Sequence, residues 1–345
     1  MKTLLLTGGL GYIGSHNTVV FLEAGYEVII FDNLSNSDES TLENIKNIVA
    51  SSLPERERVE RGLKFYEGDL RNISDIEQVF SENTIDGVVH FAGAKAVGES
   101  CMNPFYYYEN NIVGSLNLFK IMENHNCKNI IFSSSATVYD PSEKPPFSEE
   151  TLIGNTTNPY GTTKFVIENI LRDLGAHKNF NVINLRYFNP VGAHKSGLIG
   201  EDPKDVPNNL LPFVMKVANG ELSELQVFGD NYDTPDGTGV RDYIHVVDLA
   251  RGHLAALKYL ENNSGVFENI NLGTGKGTSV MEMIKITEKI IGKKLSHKIV
   301  SRRSGDIASA YCSPDKASKL LHWKAEKTVE QAVQDSWNFI QKQSL

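Results

Sequence analysis

The segment Leu4-Leu5-Leu6-Thr7-Gly8-Gly9-Leu10-Gly11-Tyr12-Ile13-Gly14 limits what this chain can become more than any other stretch of it. Leu4 to Leu6 have the length and character of a buried strand. Glycines at 8, 11 and 14 follow. Ile13, Val20, Phe21 and Ala24 then recur at helical spacing, and Gly25 is placed to end that helix. A second apolar run, Val28 to Phe31, closes on Asp32. Strand, glycine turn, helix, strand and acid make one βαβ unit. The glycines allow a tight turn, let backbone N–H groups approach a pyrophosphate at the helix N-terminus, and let helix pack on strand. Asp32 stands 18 residues beyond Gly14, where a carboxylate accepts from adenosine ribose hydroxyls and repels a 2′-phosphate, which favours NAD over NADP. Because the spacing is G-x-x-G-x-x-G, the glycines alone carry little. The whole unit in register carries the reading.

Alternation continues down the first half. Leu42 to Ala50 reads as a helix, Leu63 to Leu70 as a strand ending near Asp69, and Ser74 to Ser81 as a helix capped by Ser74. Gly87 to Phe91 reads as a strand breaking at Ala92-Gly93, and Asn111 to His125 as a long helix. Asn129 to Phe132 is a strand that runs into Ser133-Ser134-Ser135. A helix follows from about Tyr160 to Gly175, then a strand at Val182 to Leu185. Pro54 to Gly62 is charged and reads as an exposed excursion. The expected fold is α/β, a Rossmann doubly wound parallel sheet whose strands end in small or polar residues, where such a sheet keeps its ligand. From Tyr187 onward proline and glycine become frequent and the alternation is lost, marking a smaller mixed α/β C-terminal lobe. Residues 1–187 are read as the NAD-binding domain and 188–345 as a substrate domain, with later segments able to return to the first sheet.

A length of 345 residues with 40% hydrophobic content supports this much core. The net charge of -9, with no concentration of Lys and Arg, argues against nucleic acid as a partner. No apolar run approaches a membrane span, and no signal-peptide pattern precedes the first strand. Cys101, Cys127 and Cys312 are odd in number and scattered, which points to reduced thiols in a cytoplasmic protein and to no metal site. His90, at a strand end, is expected to be satisfied locally.

Tyr160-Gly161-Thr162-Thr163-Lys164 puts a phenol and an ammonium one helical turn apart. They open the helix that follows Ser135. A free phenol titrates near about 10. A neighbouring ammonium and a positively charged nicotinamide both favour phenolate, so Tyr160 suits a base near neutral pH, with Ser135 bonding the substrate hydroxyl.

Together with Asp69-Leu70 and Phe91-Ala92-Gly93-Ala94-Lys95, these stretches resemble the extended short-chain dehydrogenase/reductases. Within them the chain is most similar to the UDP-glucose 4-epimerases. The likeness runs through Asn33-Leu34-Ser35-Asn36-Ser37, Ser133 to Tyr139, Arg186 to His194 and Pro207-Asn208-Asn209-Leu210. It continues in Asp236 to Val246 and Arg302-Arg303-Ser304-Gly305-Asp306, nearly the whole chain. The resemblance implies reversible C4 epimerisation of UDP-glucose and UDP-galactose, by transient hydride transfer to tightly bound NAD through a 4-keto sugar. It implies an isomerase and a homodimer. Tyr160, Ser135 and Lys164 would be catalytic. NAD would meet Gly8, Gly11, Tyr12, Ile13, Gly14, Asp32 to Ser37, Asp69, Leu70, Phe91, Ala92, Gly93, Lys95, Asn110, Ser133, Tyr160, Lys164 and Phe188. The UDP-sugar would meet Lys95, Ser135, Tyr160, Asn189, Asn209, Leu210, Gln226, Phe228, Arg241, Tyr243, Arg303 and Asp306, the two arginines pairing with the pyrophosphate.

Ala310 falls where the resemblance implies a residue bordering the C2 substituent of the sugar. An alanine there leaves room for an acetamido group, so UDP-N-acetylglucosamine and UDP-N-acetylgalactosamine are expected as further substrates. Two rivals are weighed against this. A nucleotide-sugar 4,6-dehydratase of the same family would carry an Asp-Glu pair after Ser135, where Ala136 and Thr137 stand. A non-catalytic NAD sensor would have no need of Ser135, Tyr160 and Lys164 together.

Overall fold

The computed structural model describes residues 2–52, 62–203, 207, 209–303 and 305–343. The charged excursion expected at Pro54 to Gly62 lies outside the described residues up to position 61, as do Asn208 and Ser304. Six strands come first: β1 (Thr3–Thr7), β2 (Glu27–Asp32), β3 (Leu63–Glu67), β4 (Gly87–His90), β5 (Asn129–Ser135) and β6 (Asn181–Tyr187). Short strands follow: β7 (Asn189–Val191), β8 (Leu225–Phe228), β9 (Val240–Arg241) and β10 (Tyr243–His245). Then come β11 (Phe267–Leu272), β12 (Thr278–Ser279), β13 (His297–Val300) and β14 (Ser309–Ala310).

One seven-stranded sheet has the order β11-β6-β5-β4-β1-β2-β3. The pairs β1–β2, β2–β3, β1–β4 and β4–β5 are parallel. The strand order turns back at β1 and β4, the switch point at which a doubly wound sheet opens a crevice beyond its strand ends. Both faces of the central strands β1, β2, β4 and β5 are buried, so these strands read as continuous apolar runs. Leu5, Ile29, Phe31, Val88, Ile130, Phe132 and Val182 cluster with Ile76, Val79, Phe80, Leu118, Met122, Ile167 and Leu171 from three helices. The alternate residues Leu4, Leu6, Val28, Ile30, Val89 and Ile131 are buried as well.

The chain divides into two compact units. The first comprises Met1–Asp140, Ile153–Arg186 and Ala250–Ile270, and the second Pro141–Leu152, Tyr187–Leu249 and Asn271–Leu345. One of these divisions falls between Arg186 and Tyr187. Two segments, 141–152 and 250–270, belong to the unit on the other side of it. A later strand does return to the first sheet, namely β11 beside β6. The second unit has its own core, with Val191, Leu211, Met215, Tyr243, Met283 and Val333 in one cluster.

Local chemistry changed two expectations. The helix Ile73–Glu82 is capped by Asn72, whose side chain accepts from Ser74 N, so Ser74 is inside the helix and not its cap. The helix expected from Asn111 begins as α-helix only at Gly114 and runs to Asn124; a π-helical turn, Tyr108–Val113, leads into it. Such turns mark places where a side chain is re-aimed.

Candidate functional site

In the first unit the glycine turn joins β1 to helix α1 (Tyr12–Glu23). Gly8 has φ +70, and a Cβ on it would stand 2.8 Å from Ala92 N at the end of β4. A Cβ on Gly14 would fall on the Gly8 carbonyl oxygen and lie 2.7 Å from Gly9 Cα. Gly11 is the N-cap of α1, no side chain caps it, and the first turn carries no acid. An uncapped, electropositive helix start behind a glycine-rich loop fits a pyrophosphate.

Asp32 is buried, and three of its lone pairs are used internally. Oδ2 accepts from Leu10 N at 3.0 Å, while Oδ1 accepts from Leu34 N at 3.0 Å and from Ser37 Oγ at 2.8 Å. A carboxylate offers about four sites, so Asp32 fixes both loops and keeps one acceptor position for a ribose hydroxyl. Asn33 donates to Asp69 Oδ2 at 3.1 Å, and Arg71 holds Asp69 down at about 2. Leu70 is buried, Ser35 and Asn36 are exposed, and Tyr12 and Ile13 are half-buried at the helix start.

Phe91 N and Ala92 N both donate to Thr7 O, tying the end of β4 to that of β1. Asn111, on the π-helical turn, holds the loop beyond. Its Oδ1 accepts from Ala94 N at 2.8 Å, and its Nδ2 donates to Ala94 O at 2.9 Å and Thr163 Oγ1 at 3.1 Å. Asn110 donates to the same Oδ1 at 3.0 Å. Gly93 and Lys95 are exposed. His90 is satisfied locally, by Thr7 Oγ1 at 2.7 Å and Ser115 Oγ at 2.8 Å, and burial pushes it down to about 3.

The reactive cluster is at the end of β5. Asn158 caps the helix Pro159–Lys178, so Tyr160 and Lys164 lie in its first turns. Lys164 is buried, donates to Ser133 O at 2.7 Å, and has its Nζ 5.8 Å from the Tyr160 ring centroid. Burial pulls the ammonium down to about 8, and Glu168 opposes that pull. Burial raises the Tyr160 phenol above its ordinary value, and a hydrogen bond from Ser135 opposes the rise. Lys164 was expected to depress that phenol; in the protein alone, desolvation outweighs any such effect. Ser135 Oγ accepts from Thr137 N at 3.2 Å and Thr137 Oγ1 at 3.0 Å, which aims its own proton outward.

In the second unit β9 pairs in parallel with β14, Ala310 beside Arg241. Adjacent residues of a parallel ladder share a face, so Ala310 is on the face that carries the guanidinium. Arg303 stacks 3.8 Å above the Phe228 ring on β8, and Gln226, two residues earlier, shares that face. Arg241, Arg303, Asp306 and Arg302 all act on the phenol of Tyr232, which gathers them in one neighbourhood. Tyr232 Oη is buried with no hydrogen-bond partner among the described residues; neither periodicity nor spacing marked this residue. Asn209 is the uncapped N-cap of the helix Leu210–Asn219, whose first turn has no acid, and its side chain donates to Glu201 at 2.6 Å. Asn189 pairs with Tyr243 across β7 and β10. Tyr243 is core, and burial pushes it up to about 12. Phe188 is buried and stacked on Phe147, centroids 6.4 Å apart.

A doubly wound sheet, a dinucleotide loop and a Ser/Tyr/Lys cluster at one strand end define a dinucleotide-dependent enzyme acting on a hydroxyl-bearing carbon. A profile described as the NAD dependent epimerase/dehydratase family matches residues 4–273. UDP-glucose 4-epimerase of Haemophilus influenzae is 51% identical over 337 residues, 97% of this chain and 96% of that protein. The crystal structure of UDP-glucose 4-epimerase from Bifidobacterium longum in complex with NAD+ and UDP is 52% identical, with TM-score 0.93 over 99% of each chain. That of the Stenotrophomonas maltophila UDP-glucose-4-epimerase, with bound NAD and formylated UDP-arabinopyranose, is 42% identical with TM-score 0.94, covering 100% of this chain and 99% of that one. This chain belongs to the NAD dependent epimerase/dehydratase family.

Proposed function

We propose that this chain interconverts UDP-glucose and UDP-galactose by inverting C4 of the sugar, with NAD retained through each cycle. The cluster of Ser135, Tyr160 and Lys164 at the end of β5, in a unit whose loop fits a pyrophosphate, carries the reading. NAD, when bound, supplies the two-electron acceptor and donor for C4. Tyr160 takes the O4 proton and returns it after the sugar has turned. Ser135, its oxygen engaged by Thr137, donates towards the same oxygen. Lys164 binds the nicotinamide ribose and favours the phenolate by its charge. Arg241 and Arg303 pair with the diphosphate, and the start of the helix at Asn209 and Leu210 offers it N–H groups. Phe228 and Gln226 take the uridine. A dehydratase would need an acid and a base after Ser135; Ala136 has no such group, and the Thr137 hydroxyl is spent on Ser135.

The small side chain of Ala310, on the strand face that carries the Arg241 guanidinium, supports a second pair of substrates, UDP-N-acetylglucosamine and UDP-N-acetylgalactosamine. Purified protein given UDP-galactose or UDP-N-acetylgalactosamine, without added NAD, is expected to form both C4 epimers. The Ala310→Tyr variant is expected to keep the first reaction and lose the second. Equal loss of both would remove the Ala310 reading, and no turnover of either by the unaltered protein would remove the epimerase reading.

A homodimer is part of the proposal. Val97, Met102, Phe105, Tyr108 and Val113 are exposed large hydrophobic residues within a short stretch of chain, a patch suited to a second copy. Cytoplasmic residence is likewise inferred, from three free thiols. Among the described residues no helix is long and apolar enough to cross a membrane.

A further inference from the structure

Glu168 is the third member of a row: Tyr160, Lys164 and Glu168 are spaced four residues apart on the helix Pro159–Lys178 and share one face. It is 4% exposed, a burial a carboxylate tolerates only when paired. Arg186, on β6 and itself fully buried, meets it with two prongs, Nε to Oε1 at 3.0 Å and Nη2 to Oε2 at 2.7 Å. Arg186 Nη1 also donates to Tyr139 Oη at 3.2 Å. Ser134 Oγ donates to Glu168 Oε1 at 2.5 Å. Three consecutive residues at the end of β5 are thus engaged by one helix face. Ser133 O takes the Lys164 ammonium, the Ser134 hydroxyl bonds Glu168, and the Ser135 hydroxyl bonds Tyr160.

We propose that Glu168 is a positioning residue for the reaction: anchored by Arg186 and Ser134, its carboxylate keeps the buried Lys164 ammonium charged and seats the Tyr160–Lys164 face against the end of β5. The proposal rests on the role given to Lys164 above. Its oxygens are filled by Ser134 and Arg186, so Glu168 acts on Lys164 through space. The charged and titratable groups that act on Lys164 are Tyr160 and Glu168 on its own helix and neutral His90 on β4; Arg186 on β6 and Tyr139 after β5 meet Glu168 and each other. Burial works against the ammonium, and Glu168 is the charge that opposes it.

Glu168→Gln keeps the shape and removes the charge, whereas Glu168→Asp keeps the charge on a shorter stem. Each is compared with the unaltered protein in two ways: the pH profile of UDP-galactose turnover, and titration of the Lys164 13Cε resonance, assigned with Lys164→Arg. Glu168→Gln is expected to move the alkaline limb and the lysine titration to lower pH by about one unit. Glu168→Asp should restore both towards the original positions. Because Gln leaves the buried Arg186 without an opposite charge, the double variant Glu168→Gln/Arg186→Met, which removes the pair together, serves where the single variant does not fold. It should show a shift in the same direction but smaller, because the positive charge of Arg186 is removed as well. An unmoved lysine titration in the folded double variant, or equal effects of Gln and Asp, overturns the proposal. Absence of turnover in the unaltered protein overturns the epimerase reading instead, and leaves the lysine titration to decide this one.

Discussion

The glycine turn invites two substitutions that look alike in sequence and differ in physics. At Gly14 an added Cβ meets backbone on three sides: the Gly8 carbonyl oxygen, Gly9 Cα at 2.7 Å and Gly8 C at 3.0 Å. Backbone cannot rotate aside, so Gly14→Ala must push the turn away from α1. Overpacking of this kind costs about 3 kcal/mol or more, a fall in melting midpoint of roughly 4 °C or more for a chain of 345 residues. At Gly11 the Cβ meets only Gly8 O, at 3.4 Å, and the backbone at φ -67 and ψ 172 suits any residue. Gly11→Ala therefore costs under about 1 kcal/mol, the difference between Gly and Ala at an N-cap. Its methyl group nevertheless occupies the approach to the helix start that a pyrophosphate needs. Calorimetry, together with the NAD released per chain on acid denaturation, checks both halves. The expectation is a destabilised Gly14→Ala protein and a Gly11→Ala protein of ordinary stability that has lost its NAD. Full NAD content in a stable Gly11→Ala protein would refute the assignment of this turn to the pyrophosphate.

Two further predictions concern pH. Lys164 falls from 10.5 unfolded to about 8 folded, a difference of about 3 kcal/mol. The unfolded chain binds more protons between those values, so stability gains as pH rises from 8 to 10.5; Lys164→Met should melt above the unaltered protein at pH 7, and the gap should close over that window. His90 falls from 6.5 to about 3 through burial, so its contribution, about 5 kcal/mol, is lost as pH drops through that interval. Acid unfolding monitored by circular dichroism should be shallower in His90→Gln. Arg303→Ala removes the guanidinium stacked on Phe228, and steady-state kinetics should show KM for UDP-galactose raised about 30-fold with kcat little changed.

What the sequence made legible follows from locality. β1, the glycine turn, α1, β2 and Asp32 are contiguous, and each obeys a local rule, so their order alone fixes the dinucleotide loop. The Tyr160–Lys164 spacing is likewise a property of one helix. Capping by Asn72 in place of Ser74 differs by two residues and turns on where the first turn begins, with the Asn72 side chain accepting from Ser74 N, a matter of geometry that either sequence pattern permits. Tyr243 enters as a UDP-sugar contact only through the resemblance; that its ring is buried in the core of the second unit depends on the pairing of β10 with β7, which no local pattern shows. The partners of Ser135 and of Lys164, namely Thr137 and Glu168, depend on how β5 meets the following helix. Segment 141–152 belongs to the second unit although both its neighbours belong to the first, a long-range choice with no local signature: Phe147 N donates to Tyr311 O, and Asn271 Nδ2 to Phe147 O.

The central claim is that C4 gives up its hydrogen and receives the same one back while the sugar stays bound. It is tested most directly with UDP-galactose deuterated at C4, given to purified protein with no added NAD. The expected product is UDP-glucose carrying the deuterium at C4, with none lost to water. Deuterium washed out of the product, or no product from protein that holds NAD, would contradict it.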